Sequence, residues 1–139
     1  MRHQLQLTLL LIALCVLTGC SDNGPAVGHV SGEITLDDKP LSGAMVLYSP
    51  VTPGRSSLAV TDQEGKYELT FSGTQQGAVV GEHTVKITTG QDASYDDRGA
   101  VVNAAVKERV PKEYNSETTQ RVSVEAGANQ IDFHIQSAQ

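Results

Sequence analysis

Two hydrophobic patterns divide this chain of 139 residues. The first is a block: Leu5 to Leu17 is apolar at every position except Gln6 and Thr8. The second starts near His29 and has period two, as in strands that bury one face and expose the other. Val30, Ile34 and Leu36 alternate with Ser31, Glu33 and Thr35. Ala44, Val46 and Tyr48 share a face of a second strand, which Pro50 and Pro53-Gly54 end. Leu58 and Val60 mark a third strand, and Tyr67, Leu69 and Phe71 a fourth. Val85 with Ile87, Val122 with Val124, and Ile131 with Phe133 and Ile135 mark three more. Asp37–Pro40, Asp62–Gly65 and Ala126–Asn129 read as turns, with Gly65 placed to take a positive φ. The fourth strand leaves the Asp62–Gly65 turn directly, so strands three and four are expected to form a hairpin. Seven short strands with frequent turns predict an all-β domain over 29–137, an antiparallel β-sandwich.

Gly90 to Thr118 breaks the pattern. Gln91 to Gly99 is polar and acidic, and Ala100 to Val110 is apolar enough for a short helix or an irregular strand. A structureless loop of this length is unusual in a compact domain, so it is either ordered by packing or the working part.

The N-terminal block is short for a spanning helix, which needs about 20 apolar residues, and suits the h-region of a signal peptide. It follows the weakly positive Met1-Arg2-His3 and ends in Leu17-Thr18-Gly19-Cys20. That ending resembles the lipobox of bacterial lipoproteins: an aliphatic residue, two small residues, then Cys. Small side chains at Thr18 and Gly19 let a peptidase reach the bond before Cys20, whose thiol is the nucleophile that receives a diacylglyceryl group. The resemblance implies a signal helix over 1–19, cleavage after Gly19 and a lipidated Cys20 with an acylated new amine, including palmitate-like chains. Several acyl chains together hold a protein at a bilayer, at about 0.8 kcal/mol per buried methylene. An ordinary signal peptide with a chance Cys, or an uncleaved anchor, are the competing readings. Ser21 in place of Asp after the Cys favours, by analogy, the outer membrane, facing the periplasm or the surface. Residues 20–28 are polar, with Gly and Pro, and read as a flexible tether. Ser21 to Gly28 reaches at most about 28 Å at about 3.5 Å per residue, so the domain stays close to the membrane.

Composition narrows the partners. Acids number 16 and bases 10, a net charge of −6. Arg2 is the sole charge before Cys20, so cleavage leaves the mature chain one unit more negative still. Such a surface repels phosphate backbones, which argues against nucleic acid, and offers no polybasic attraction to anionic lipid. Aromatics are 4% and Trp is absent, so the core rests on Val, Ile, Leu and Ala. The two cysteines are Cys15 and Cys20. Cleavage and acylation leave no thiol for a disulfide, a metal or catalysis, so the domain is held by packing.

A family resemblance runs through the mature chain. Val30-Ser31-Gly32-Glu33-Ile34-Thr35-Leu36-Asp37-Asp38-Lys39-Pro40-Leu41-Ser42-Gly43-Ala44 and Thr61-Asp62-Gln63-Glu64-Gly65-Lys66-Tyr67 resemble carboxypeptidase regulatory-like domains. Pro111-Lys112-Glu113-Tyr114-Asn115, Val124 to Asn129 and Asp132-Phe133 are similar to short bacterial lipoproteins that carry this domain alone. The resemblance implies a seven-stranded prealbumin-like (transthyretin-like) sandwich and no activity.

Candidate chemistry is sparse. His29 and His134 point away from the core by alternation and approach each other only if the first and last strands pair suitably; solvent-facing histidines explain the pattern. With His83 they are the mature chain's histidines, and a zinc site needs at least three converging ligands. Asp92, Asp96 and Asp97, with Ser94 and Tyr95, suit calcium by type, yet lack the EF-hand glycine and closing Glu; a solvated acidic loop is the plainer reading. No Gly-x-Ser-x-Gly and no phosphate loop occurs. A hydrolase family on the transthyretin-like fold ends in Tyr-Arg-Gly-Ser, whereas this chain ends Ile135-Gln136-Ser137-Ala138-Gln139. Tyr114 is expected to pack its ring and bond its hydroxyl to backbone, pinning the long loop. No catalytic residue, metal or cofactor is therefore assigned. The expected function is a membrane-anchored, non-catalytic binding or scaffolding module with an envelope protein or glycan as partner. A structural envelope component with no specific ligand is the plainer form of that reading. The alternative is a metal-dependent or hydrolytic envelope enzyme using His29, His134 and the acidic 92–97 loop.

Overall fold

The computed structural model describes residues 24–137. The signal helix, Cys20 and the first residues of the tether lie outside them. Fourteen strand segments, numbered in chain order, make two sheets around one core and a separate two-stranded ribbon. The domain is all-β, as the alternation predicts. The strand count exceeds seven because several strands are split where the chain changes partner.

β1 (Val27–Leu36) is the spine of the first sheet. It begins two residues inside the stretch read as tether, because Val27 and Gly28 pair with β8 (Ala78–Val79). Farther along, β1 pairs antiparallel with β5 (Lys66–Glu68) and with β2 (Lys39–Pro40). Asp37 and Asp38 turn the β1–β2 hairpin at φ 51 and 62, a left-handed pair that short polar side chains tolerate. On its other edge β1 pairs with β13 (Ala128–Gln130) and β14 (Phe133–Ile135), and both run parallel to it. The expectation of a wholly antiparallel sandwich is corrected here. β12 (Arg121–Val124) ends at the end of the molecule where β1 begins, and Gly127 at φ 92 turns the chain into the other sheet. The next strand must then run in the same direction as β1.

The second sheet has the order β12-β9-β3-β4-β6-β7, antiparallel throughout. Its members are β3 (Met45–Pro50), β4 (Ser57–Val60), β6 (Thr70–Ser72), β7 (Gln75–Gln76) and β9 (Gly81–Thr88), with β12. The expected hairpin of strands three and four survives only in part. β6 pairs with β4 through Leu58 and Thr70, but β5, nearest the turn, joins β1 in the first sheet. Between them Leu69 is fully buried, its N–H donating to Val30 O at 2.9 Å.

β4 presents the opposite face from the one its large residues suggest. Leu58 and Val60 are 42% and 61% exposed, while Ser57 and Ala59 are buried. Ser57 stands opposite Tyr48 and Ala59 opposite Val46, so small inward residues leave room for the Tyr48 ring. Thr61 continues the inward row and accepts from Ala44 N–H at 2.8 Å. The core is Val30, Ile34, Leu41, Val46, Tyr48, Tyr67, Leu69, Val85, Ile87, Val124 and Ile135 with their neighbours.

Candidate functional site

The candidate histidines do not converge. His29 sits in register with Ala128, and His134 with Thr35. Thr35 lies six positions along β1 from His29, about 20 Å at about 3.3 Å per residue. The first and last strands do pair, but in a register that keeps the rings apart. Each ring has a local partner: His29 Nε2 lies 2.5 Å from Glu68 Oε1, and His134 Nδ1 lies 3.0 Å from the Thr35 hydroxyl. His83 is wholly buried against the Tyr48 ring, with Nε2 donating to Val79 O at 2.7 Å and Nδ1 unpartnered. Its position was legible: it lies in phase with Val85 and Ile87.

The acidic 92–97 loop is half of a hairpin. β10 (Ser94–Tyr95) pairs with β11 (Val101–Asn103), and the bridge Gln91–Val106 closes the base. Asp96 is the turn former, accepting from Arg98 N–H at 2.9 Å and Ala100 N–H at 2.8 Å, with Gly99 at φ 79. Asp62 does the same for Glu64 N–H and Lys66 N–H, with Gly65 at φ 76. The two turns share the pattern Asp-x-x-Gly, a signal that marks 96–99 as a hairpin turn in the sequence. Asp92 and Asp97 are exposed. Among the described residues no three His, Cys, Asp or Glu side chains come together as a metal site.

Glu108 roots this arm to the sandwich. Its carboxylate accepts from Thr89 N–H at 3.0 Å, the Thr89 hydroxyl at 2.7 Å, Gly90 N–H at 3.1 Å and Val110 N–H at 2.9 Å. Desolvation pushes the carboxyl upward, but the bonds from Val110, Thr89 and Gly90 together outweigh it and hold its pKa at about 2. Below the clamp a 3-10 turn spans Lys112–Tyr114. The Tyr114 ring packs on the core as expected, yet the bonds that hold the segment come from its neighbours. Asn115 Nδ2 donates to Val110 O at 2.9 Å, and the Thr118 hydroxyl to Val85 O at 2.5 Å. The long segment is thus ordered by packing from 108 to 120, while the arm from 91 to 106 projects.

The outer face of the first sheet holds a shallow depression of about 320 Å³, lined by Ser31, Gly32, Glu33, Lys66, Tyr67 and Gln130. Its one buried hydroxyl is committed: Tyr67 donates to Ile131 O at 2.6 Å and accepts from Tyr48 at 2.9 Å. Ser31, Glu33 and Lys66 offer hydrogen bonds and charges of both signs, suited to a polar ligand held weakly.

No family model matches the chain, and no curated protein does. Among solved structures, a 9R-lipoxygenase from Cyanothece aligns with 87% of this chain and 18% of its own length, at 14% identity and a TM-score of 0.41. A likeness that slight carries no argument about function.

Proposed function

We propose that this protein is a lipid-tethered lipoprotein of the bacterial cell envelope, anchored through Cys20, whose domain is a non-catalytic binding or scaffolding module. On this reading the domain is carboxypeptidase regulatory-like and prealbumin-like, and the lipid sits in the outer membrane. The observation that carries it is the run Leu5–Leu17 ending in Leu17-Thr18-Gly19-Cys20, seven residues ahead of the first strand at Val27. From Cys20 to Val27 the chain spans at most about 25 Å, at about 3.5 Å per residue, so the sandwich lies at the bilayer surface. A module without catalysis is favoured because the polar groups best placed for chemistry are engaged in the fold. Tyr67 bonds to Ile131, Asp96 closes a turn, and Glu108 clamps five backbone and hydroxyl donors.

Mass spectrometry of the protein extracted from membranes tests the anchor. The expected mass is that of a chain starting at Cys20 with acyl groups attached, and Cys20→Ser moves the protein to the soluble fraction or leaves the precursor uncleaved. An unmodified Cys20 in membrane-extracted protein overturns the reading.

A further inference from the structure

Resting on the lipid anchor read at Cys20, we propose that the end of the sandwich from which the tether leaves is a bilayer-docking surface. Val51 and Val80 seat among lipid headgroups there, and Arg55 meets their phosphates. The tether fixes which end faces the lipid. Ala26 O accepts from Val80 N–H at 2.8 Å, and two residues on, Glu82 O accepts from Val51 N–H at 2.9 Å. Gln75, after the β6–β7 turn, lines one hollow with Gly24, Pro25 and Ala26. The start of the domain, the β8–β9 junction, the 50–56 loop and the β6–β7 turn therefore form one tip. Cys20 lies at most about 25 Å of chain from Val27, at about 3.5 Å per residue, so this tip meets the bilayer first.

The charge distribution suits that neighbour. Val51 is 49% exposed and Val80 38%, and Thr52, Pro53, Gly54, Ser56, Gly73 and Thr74 are exposed and uncharged. Glu82 is paired with Arg121 at 3.1 Å, which leaves Arg55 against Glu125, with Asp22 in the tether. Arg55 forms no ion pair among the described residues. Asp37, Asp38, Asp62, Glu64, Asp96 and Asp97 stand at the opposite end, which β9 sets about 23 Å away at about 3.3 Å per residue. Most of the charge that an anionic bilayer repels is thus held beyond the ~8 Å over which charges act at physiological salt. The loop is also shaped before it meets lipid. Pro50 and Pro53 fix two φ angles, a Cβ at Gly54 would meet Pro50 Cγ at 3.2 Å, and the Ser56 hydroxyl donates to Ser49 Oγ at 3.2 Å. Docking therefore costs little ordering entropy. Two valines bind a bilayer weakly by themselves, but the anchor makes the contact intramolecular, so a weak contact suffices. Met45 and Val60, the competing apolar pair on the outer face of the second sheet, lie at the ends of β3 and β4 far from the tether.

Spin labelling of the membrane-extracted protein, with its mass measured and reconstituted in vesicles of phosphatidylethanolamine and phosphatidylglycerol, tests the proposal. Cleavage removes Cys15 and acylation occupies Cys20, so an introduced cysteine is the sole thiol. Nitroxides go at Thr52→Cys on the tip, Leu58→Cys on the outer sheet face and Asp97→Cys at the far end, all exposed positions. At position 52, collisions with a water-soluble nickel chelate should fall several-fold below those at 58 and 97, while collisions with oxygen rise. Val51→Asp together with Val80→Asp should restore nickel access at 52 at an unchanged thermal unfolding temperature, because both side chains are exposed. A label at 52 as open to nickel as the one at 97 overturns the proposal. So does greatest protection at 58, which lays the sheet face on the lipid, or protection at 52 in native membranes but not in vesicles, which assigns the tip to a protein. The mass keeps the two readings apart: an unmodified Cys20 removes anchor and docking together, whereas an acylated Cys20 with an open position 52 removes the docking alone.

Discussion

Tyr67 gives its hydroxyl hydrogen to Ile131 O at 2.6 Å, so the Tyr48 hydroxyl must donate to Tyr67 across 2.9 Å. The two losses are therefore unequal. Tyr48→Phe removes one buried hydrogen bond and should cost about 1 kcal/mol. Tyr67→Phe leaves Ile131 O and the Tyr48 hydroxyl without partners and should cost about 2 kcal/mol. Urea unfolding of both variants checks the order, and equal losses would refute the relay. Gly32 shows how tightly this contact closes: a Cβ there would meet Ile131 O at 1.8 Å. Period-two reasoning placed Tyr48 and Tyr67 inside correctly. Their bond was not legible, since it joins residues on different sheets.

At the scale of the element, β4 shows why large apolar residues are not a sufficient guide to the buried face. Alternation is present in Ser57-Leu58-Ala59-Val60, but the ring of Tyr48 decides its phase. Leu58→Lys should therefore change stability by no more than about 0.5 kcal/mol, whereas Ala59→Leu should overpack the core and cost about 1–3 kcal/mol. Chemical denaturation separates the two, and the reverse order would return Leu58 to the core. The Glu108 clamp carries a pH dependence of definite sign. Its folded pKa lies below the usual carboxylate value, so its contribution is present above about pH 4.5 and is lost as pH falls through about 2. Over that window the amides of Thr89, Gly90 and Val110 should lose hydrogen-exchange protection ahead of the core strands. Glu108→Gln should expose them already at neutral pH. Protection unchanged in the variant would show that the clamp does not hold the arm.

Across the whole molecule, Tyr48 lies in the second sheet and Tyr67 in the first, so their bond joins the two layers. Burial pushes the Tyr48 hydroxyl up to about 12, and burial drives Tyr67 higher, with Tyr48 adding to the rise. An unfolded tyrosine ionises near about pH 10. Between that pH and about 12 the unfolded chain releases protons that the folded one keeps, so stability should fall as pH rises through the window. Urea midpoints measured from neutral to alkaline pH check this. A slope that Tyr48→Phe leaves unchanged would place its origin elsewhere.

The sequence alone determined the all-β class, most strand positions and the Asp62–Gly65 turn, because alternation and turn residues are local properties of the chain; of the expected Ala126–Asn129 turn, only Ala126 and Gly127 bend, and Ala128 and Asn129 already pair with β1. It also held, unread, the phase of His83 and the repeated Asp-x-x-Gly of the arm. Tertiary structure decided the rest. The chain changes sheet at Leu69, β13 and β14 run parallel to β1, and His29 and His134 stand on one strand pair yet far apart. Each depends on which strand lies beside which, and on the room left by a ring such as Tyr48. Those contacts join residues distant in the chain, so no local pattern records them.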